Sequence, residues 1–317
     1  MNTKQMRESI VMAKELDVAG EFIYAALEKI NKIDTYEEVS DIFFILYHLS
    51  VGIERLQKIL LVVLNDVELD KIQDFLENIK IHNHENLHSQ IRRHIKISFS
   101  SAQNALLAVL AEFYNAERYG RFDFFTYNYN DEKLLTNYIK KYCPGVPETY
   151  NPGHPVLINT DDIKDFLGKT IGRLCQKYYN VIKDIAPSKG IFAYELRPDS
   201  AAERIFVWDD ERCSYQKIMK KEKRAIKELL IYLRNQDYGN KLLEHIGTIT
   251  PLPFDSDAIQ GYVADLCNKT VSIDLINEVD FMHKELGKER FERELQVDLI
   301  GDRYVSLDFD EDEWTSK

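Results

Sequence analysis

The chain has 317 residues and a formal net charge of −12. That length suits two helical units better than one, and that charge excludes a protein that coats nucleic acid or anionic membrane without a local basic patch. Cys143, Cys175, Cys213 and Cys267 are scattered with no CxxC pair, so neither a disulfide framework nor a cysteine zinc site is expected. The polar start MNTKQMRESIV and the shortness of the greasiest runs, IFFILYHLSVGI and ILLVVL, predict a cytoplasmic protein that makes no use of a membrane.

Apolar residues recur at helical spacing over 3–32, with Gly20 as a break point. Thr35 with Glu38 reads as a capping box opening a helix over 36–65 that is apolar around most of its circumference, the expected centre of a bundle. Helices follow near 69–79, 83–96, 101–119 and 131–142. The segment 143–158, CPGVPETYNPGHPVLI, carries half of the chain's 8 prolines and reads as a linker. Beyond it Thr160 caps a helix that stops before Pro187, and GIFAYEL with ERIFVW reads as a β-hairpin. Helices near 214–236, 255–268 and 274–287, a strand in DRYVSLDF and an acidic tail complete the chain. The expected architecture is mainly α: a helical bundle over 1–142, a linker over 143–158, and a smaller helix-rich α+β domain with a β-hairpin over 159–317.

Residues 84–94, HENLHSQIRRH, contain HExxH. That spacing stacks His84 and His88 on one helix face, where both can ligate zinc while Glu85 polarises a bound water. In the longer form of the motif a glycine turns the chain back to deliver a third histidine, but Ile91 stands there. A continuing helix carries His94 about 240° around and roughly 9 Å along from His88. Glu112 and Glu117 are the remaining third-ligand candidates, so His84 and His88 stand as a fallback metal pair for a zinc hydrolase. No phosphate loop, GxGxxG turn or GxSxG elbow occurs, and no cofactor is expected.

Three segments, IERLQKILLVVLN, HNHENLHSQI and LAEFYNAERYGRF, resemble in this order the HEPN family, the helical higher-eukaryote-and-prokaryote nucleotide-binding domains. The resemblance covers about residues 36–125. It implies a bundle of four or five helices, frequent homodimerisation, and roles in RNA cleavage, toxin–antitoxin systems and antiviral defence. Active members of the family carry an Arg followed four to six residues later by His. No arginine here has a histidine at that spacing, so no catalytic pair is transferred and enzyme status stays open, with a ribonuclease as the enzyme class implied.

Among residues suited to an anion, His88 and Arg92 share a helix face, with Arg93 and His94 beside them. Together with Arg118 and Arg121 they form the weak catalytic or phosphate-binding set, although basic residues near a helix C-terminus are also simple dipole compensation. Asp41, His48 and Arg55 recur every seven residues and form a polar stripe, either an internally satisfied seam or a polar pocket or dimer face. In 214–236, Lys217, Lys220, Lys221, Lys223, Arg224, Lys227 and Arg234 fall on one arc opposite Ile226, Leu229, Leu230 and Leu233. That arc is either a solvated face or a cationic ridge for nucleic acid or an acidic partner. The expected function is an RNA- or nucleotide-directed HEPN-like protein. A non-catalytic dimerisation or protein-interaction module is the alternative, and a zinc hydrolase a further one.

Overall fold

The computed structural model describes residues 3–65, 67–68, 71–114, 130–151, 154–192, 194–197, 200–206, 215–234 and 241–300. The chain divides into two compact units, Met1–Met219 and Lys220–Lys317. In chain order the first unit holds α1 (Thr3–Lys32), α2 (Val39–Asn65), α3 (Ile72–Asn78), α4 (His84–His94), α5 (Ser101–Glu112) and α6 (Asn130–Tyr142). The strands β1 (Glu148–Asn151) and β2 (His154–Leu157), then α7 (Asp161–Ile185) and α8 (Ala201–Phe206), complete it. α9 (Tyr215–Arg234) contains the division, and the second unit continues with α10 (Lys241–Thr248), α11 (Ile259–Cys267), α12 (Ile273–Glu285) and α13 (Arg290–Asp298). The fold is mainly α, with one two-stranded antiparallel sheet among the described residues. No described helix is long and apolar enough to cross a membrane.

α2 is the centre of the first unit. Fourteen of its residues are buried, among them Ile45, Leu49, Ile53, Leu56 and Leu60, and α1, α4, α5, α6 and α7 all pack on it. A helix apolar on nearly every face has to be wrapped in this way to leave water. Local signals set the ends of its neighbours. Asn83 caps α4 by accepting from the Asn86 amide at 2.8 Å, Ser100 and Gln103 form a reciprocal capping box on α5, and Thr160 caps α7.

Five expectations are corrected. Thr35 and Glu38 do not open α2: the helix begins at Val39, and Thr35 instead pairs with Ile158 as a β-bridge. Gly20 breaks nothing, because α1 is continuous. Its missing side chain serves a close approach instead, since a Cβ there would lie 2.4 Å from the Cα of Ala202 in α8. The proline-rich segment is no linker but the hairpin β1–β2, in register Thr149↔Val156. Its exit is tied to the α1–α2 corner by Tyr36 N–H donating to Leu157 O at 2.9 Å and Asn159 N–H donating to Asp34 O at 2.8 Å. The buried Asn159 amide also donates to the Ile30 and Ile33 carbonyls that end α1. Prolines forbid helix there, yet a two-stranded ribbon tolerates them.

The boundary expected at 143–158 therefore lies inside the first unit, and α7 buries Leu167, Ile171, Leu174 and Tyr178 in the same core as α2. Finally, the hairpin expected from GIFAYEL and ERIFVW is not formed: Ala201–Phe206 is α8, whose Ile205 and Phe206 are buried. The described part of the second unit contains helices. The strand expected in DRYVSLDF, the acidic tail and Cys213 lie outside the described residues.

Because Gly20 and Gly52 sit where helices nearly touch, a methyl at either position forces the backbones apart. For Gly52 it would meet Ile23 Cγ1 at 2.6 Å. Gly20→Ala is expected to destabilise the first unit by about 1–3 kcal/mol, read as a lowered urea midpoint. Gly247→Ala, in open space on α10, is expected to leave the midpoint unchanged or raise it slightly. Equal tolerance of both substitutions would contradict the close packing of α1 on α8.

Candidate functional site

The HExxH stretch forms α4, and among the described residues no third ligand joins it. His84 and His88 are both buried, Glu85 between them is exposed, as is Glu112, and no group of three His, Cys, Asp or Glu among the described residues is placed to hold a metal. Glu117 lies outside the described residues. The two imidazoles instead end a buried chain of hydrogen bonds. Gln57 of α2 donates from Nε2 to the His84 carbonyl at 3.0 Å and to the Tyr178 hydroxyl at 2.9 Å, and its Oε1 accepts from His84 Nδ1 at 3.1 Å. Tyr178 Oη lies 2.8 Å from His88 Nδ1.

Counting donors fixes the tautomers. Both Gln57 N–H groups are used, so His84 carries its proton on Nδ1, and its Nε2 is left buried with no partner. Tyr178 accepts from Gln57, and the single proton of its hydroxyl has His88 Nδ1 as its one acceptor among the described residues. His88 therefore carries its proton on Nε2. Burial pulls the pKa of each imidazole down to about 4, aided at His88 by the charge of Arg92. Both rings are neutral at pH 7.

The network pins α2, α4 and α7 together, and the C-terminal end of α4 opens on a groove of about 540 Å³ lined by His88, Arg92, Arg93, His94, Lys96 and Phe99 with their neighbours. Phe99 stacks on His88 with ring centroids 4.5 Å apart and planes 10° from parallel. From α7, Lys177 Nζ stands 5.4 Å over the Phe99 ring and donates to Ser98 O at 2.8 Å and Gln103 Oε1 at 3.2 Å. Lys177 has its pKa lowered by burial and by the neighbouring charge of Arg173. Arg92, Arg93, Lys96 and Arg173 are exposed and form no ion pair with a described residue. Elsewhere in the same unit Lys29, Arg55, Lys58 and Lys140 each meet a carboxylate.

The other predicted residues separate from this groove. Asp41, His48 and Arg55 form the seam between α1 and α2, where residues 29, 22 and 15 of α1 answer them in antiparallel heptad register. Asp41 pairs with Lys29 at 2.5 Å and Arg55 with Glu15. His48 Nδ1 donates to Phe44 O at 2.8 Å, its ring stacked on Phe44 and near Phe22. The stripe is thus internally satisfied, and its Arg55 end, with Glu15, borders a cleft.

Glu54 and Lys58 pair at 2.7 Å, and His82 joins Glu54 at 3.0 Å. These three residues line a separate, mostly apolar cleft of about 530 Å³ with Val51, Leu76 and Tyr114. Arg118 and Arg121, and the side chains of Lys217 and Lys221, lie outside the described residues. Lys220, Arg224 and Lys227 are exposed on α9 of the second unit. A comparison of the chain with protein-family models, with curated proteins and with solved structures returns no match.

Folding lowers the pKa of both histidines from the ordinary 6.5 to about 4. The stability they contribute is therefore complete above pH 6.5 and is lost as pH falls toward 4, because the unfolded chain binds the protons first. Two such groups give a slope of up to about 2.7 kcal/mol per pH unit in that window. Urea midpoints measured between pH 7.5 and 5 are expected to fall accordingly, and His88→Gln is expected to halve the slope. An unchanged slope in that variant would show that His88 titrates normally in the folded chain.

Proposed function

We propose that the groove at the end of α4 holds the phosphate backbone of RNA, and that the chain is a HEPN-like protein that senses or acts on RNA in a defence or toxin-type setting. The observation that carries this reading is the set of cations without carboxylate partners, Arg92, Arg93 and Lys96, lining one groove in a chain whose net charge is −12, with Arg173 beside Lys177, which reaches Ser98 on the groove's wall. Single cations without a carboxylate partner occur elsewhere in the unit, but here three line one groove, and a cluster of like charge favours an external anion. Dipole compensation accounts for Arg92, Arg93 and His94 at the end of α4. It does not account for Lys96, beyond the helix end, or for Arg173 on α7.

The remaining groups suit a nucleotide. Arginine forks match phosphate oxygens, the partly exposed Phe99 ring offers a face to a base, and the His88 Nε2–H is a further neutral donor. Binding without proton transfer fits best with His88, whose Nδ1 is occupied by Tyr178 and whose pKa lies far below neutrality.

Fluorescence anisotropy with a mixed-sequence single-stranded RNA tests the proposal. Binding at low salt is expected, weakening steeply as salt rises. The triple substitution Arg92→Ala, Arg93→Ala, Lys96→Ala is expected to cost at least tenfold in affinity and to lower the log–log salt slope by about 2, since each lost contact to a single strand contributes roughly 0.7. No binding at low salt would contradict the reading. Loss of binding on changing Lys220, Arg224 and Lys227 instead would move the site to α9. Cleavage of the same RNA in EDTA, abolished by Arg118→Ala or Arg121→Ala, would make the protein a ribonuclease, and intact RNA leaves a binding role.

A further inference from the structure

The mostly apolar cleft of about 530 Å³ in the first unit has the size of a small-molecule site. Val51, Ile59 and Val62, on one stripe of α2, line it together with Met12 of α1 and Leu76 of α3. It shares no lining residue with the groove at the end of α4, so what it holds is independent of RNA binding there.

Its polar groups are arranged around one buried carboxylate. Glu54 is 8% exposed, and a charge so far from water is stabilised by partners on both of its oxygens. Lys58 Nζ donates to Oε1 at 2.7 Å, and His82 Nδ1 lies 3.0 Å from Oε2. The Tyr114 ring packs against the His82 imidazole with centroids 4.4 Å apart. A carboxylate held by Lys58 can only accept, so His82 carries its proton on Nδ1. In the neutral ring Nε2 is then a bare acceptor, and it has no hydrogen-bond partner among the described residues.

The charges around the cleft narrow what can fill it. Arg55 meets Glu15, Lys58 meets Glu54 and Lys80 meets Glu77, so each lysine and arginine of the lining already has a carboxylate. An ion entering this apolar space would lose its hydration without gaining an unpaired counter-charge. An uncharged ligand has no such cost, and Nε2 asks it for one proton donor. A hydroxyl supplies that donor with little further polar surface, whereas an amide brings a carbonyl that needs a partner of its own. We infer that the cleft binds an uncharged small molecule with an apolar, ring-sized body and a hydroxyl group that donates to His82 Nε2.

NMR of the intact chain with labelled Ile, Val and Met methyls tests the inference, in separate titrations with 2-naphthol, 2-methoxynaphthalene and 2-naphthoate, which share a body and differ in the head. Naphthol is expected to shift the methyls of Met12, Val51 and Ile59 and to bind about five- to tenfold more tightly than the methoxy compound, which keeps the oxygen but has no proton to give. Naphthoate is expected to bind least. His82→Phe keeps a ring against Tyr114 and removes the acceptor, so it is expected to lower the naphthol affinity to that of the methoxy compound and to leave the latter unchanged. Naphthoate binding more tightly than naphthol overturns the inference, as do shifts confined to methyls outside the cleft or no shift at all. So does a naphthol preference that survives His82→Phe, and an equal loss of both ligands in that variant, which would make the ring structural.

Discussion

Everything in the first unit follows from the burial of α2. A 27-residue helix with fourteen buried positions has no face to give to water, so helices from both sides of the hairpin must close around it. That requirement explains why α7, more than a hundred residues later, belongs to the same core, and why the hairpin is stitched to the corner between α1 and α2 rather than swinging as a tether. It also explains the two close approaches at Gly20 and Gly52, where a bundle wrapped this tightly leaves no room for a side chain.

The few polar groups that α2 carries inward are then under strict demand, since an unpaired buried donor or acceptor costs on the order of 1–3 kcal/mol. Gln57 meets that demand by making three hydrogen bonds to His84 and Tyr178, with both of its N–H groups used, and Tyr178 passes the constraint on to His88. The consequence reaches the surface. With α4 and α7 locked to the same glutamine, the cations lining the groove at the end of α4 are held near Lys177 of α7, which donates to Ser98 on the groove's wall, and His88 keeps its Nε2–H as a donor. What reads as a zinc motif is, among the described residues, a buried hydrogen-bonded junction of α2, α4 and α7.

The local code was largely readable. Asn83, Ser100 and Thr160 mark helix starts because capping is a matter of adjacent residues, and the seven-residue spacing of Asp41, His48 and Arg55 correctly places them on one stripe. Non-local pairings were not readable. The proline cluster excludes helix, but nothing in it tells a linker from a ribbon, because that is decided by hydrogen bonds to residues 34–36, over a hundred positions away. ERIF has the β-branched and aromatic residues of a strand, yet burial of Ile205 and Phe206 against α1 and α7 favours a helical turn. At the groove, Arg92 and Arg93 were visible beside His88, whereas Arg173, Lys177 and the stacking role of Phe99 were missed. Their only signal was a cationic pair one turn apart on α7, common on any exposed helix.

The central claim is that the surface joining the end of α4 to α7 receives RNA. It is tested most directly by ultraviolet crosslinking of the intact chain to an RNA carrying 4-thiouridine, followed by mass spectrometry of the crosslinked peptides. Crosslinks at Phe99 and its neighbours in 92–104, accompanied by peptides containing Arg173 or Lys177, are the predicted result. Crosslinks confined to other parts of the chain, or none under conditions where the RNA binds, would contradict it.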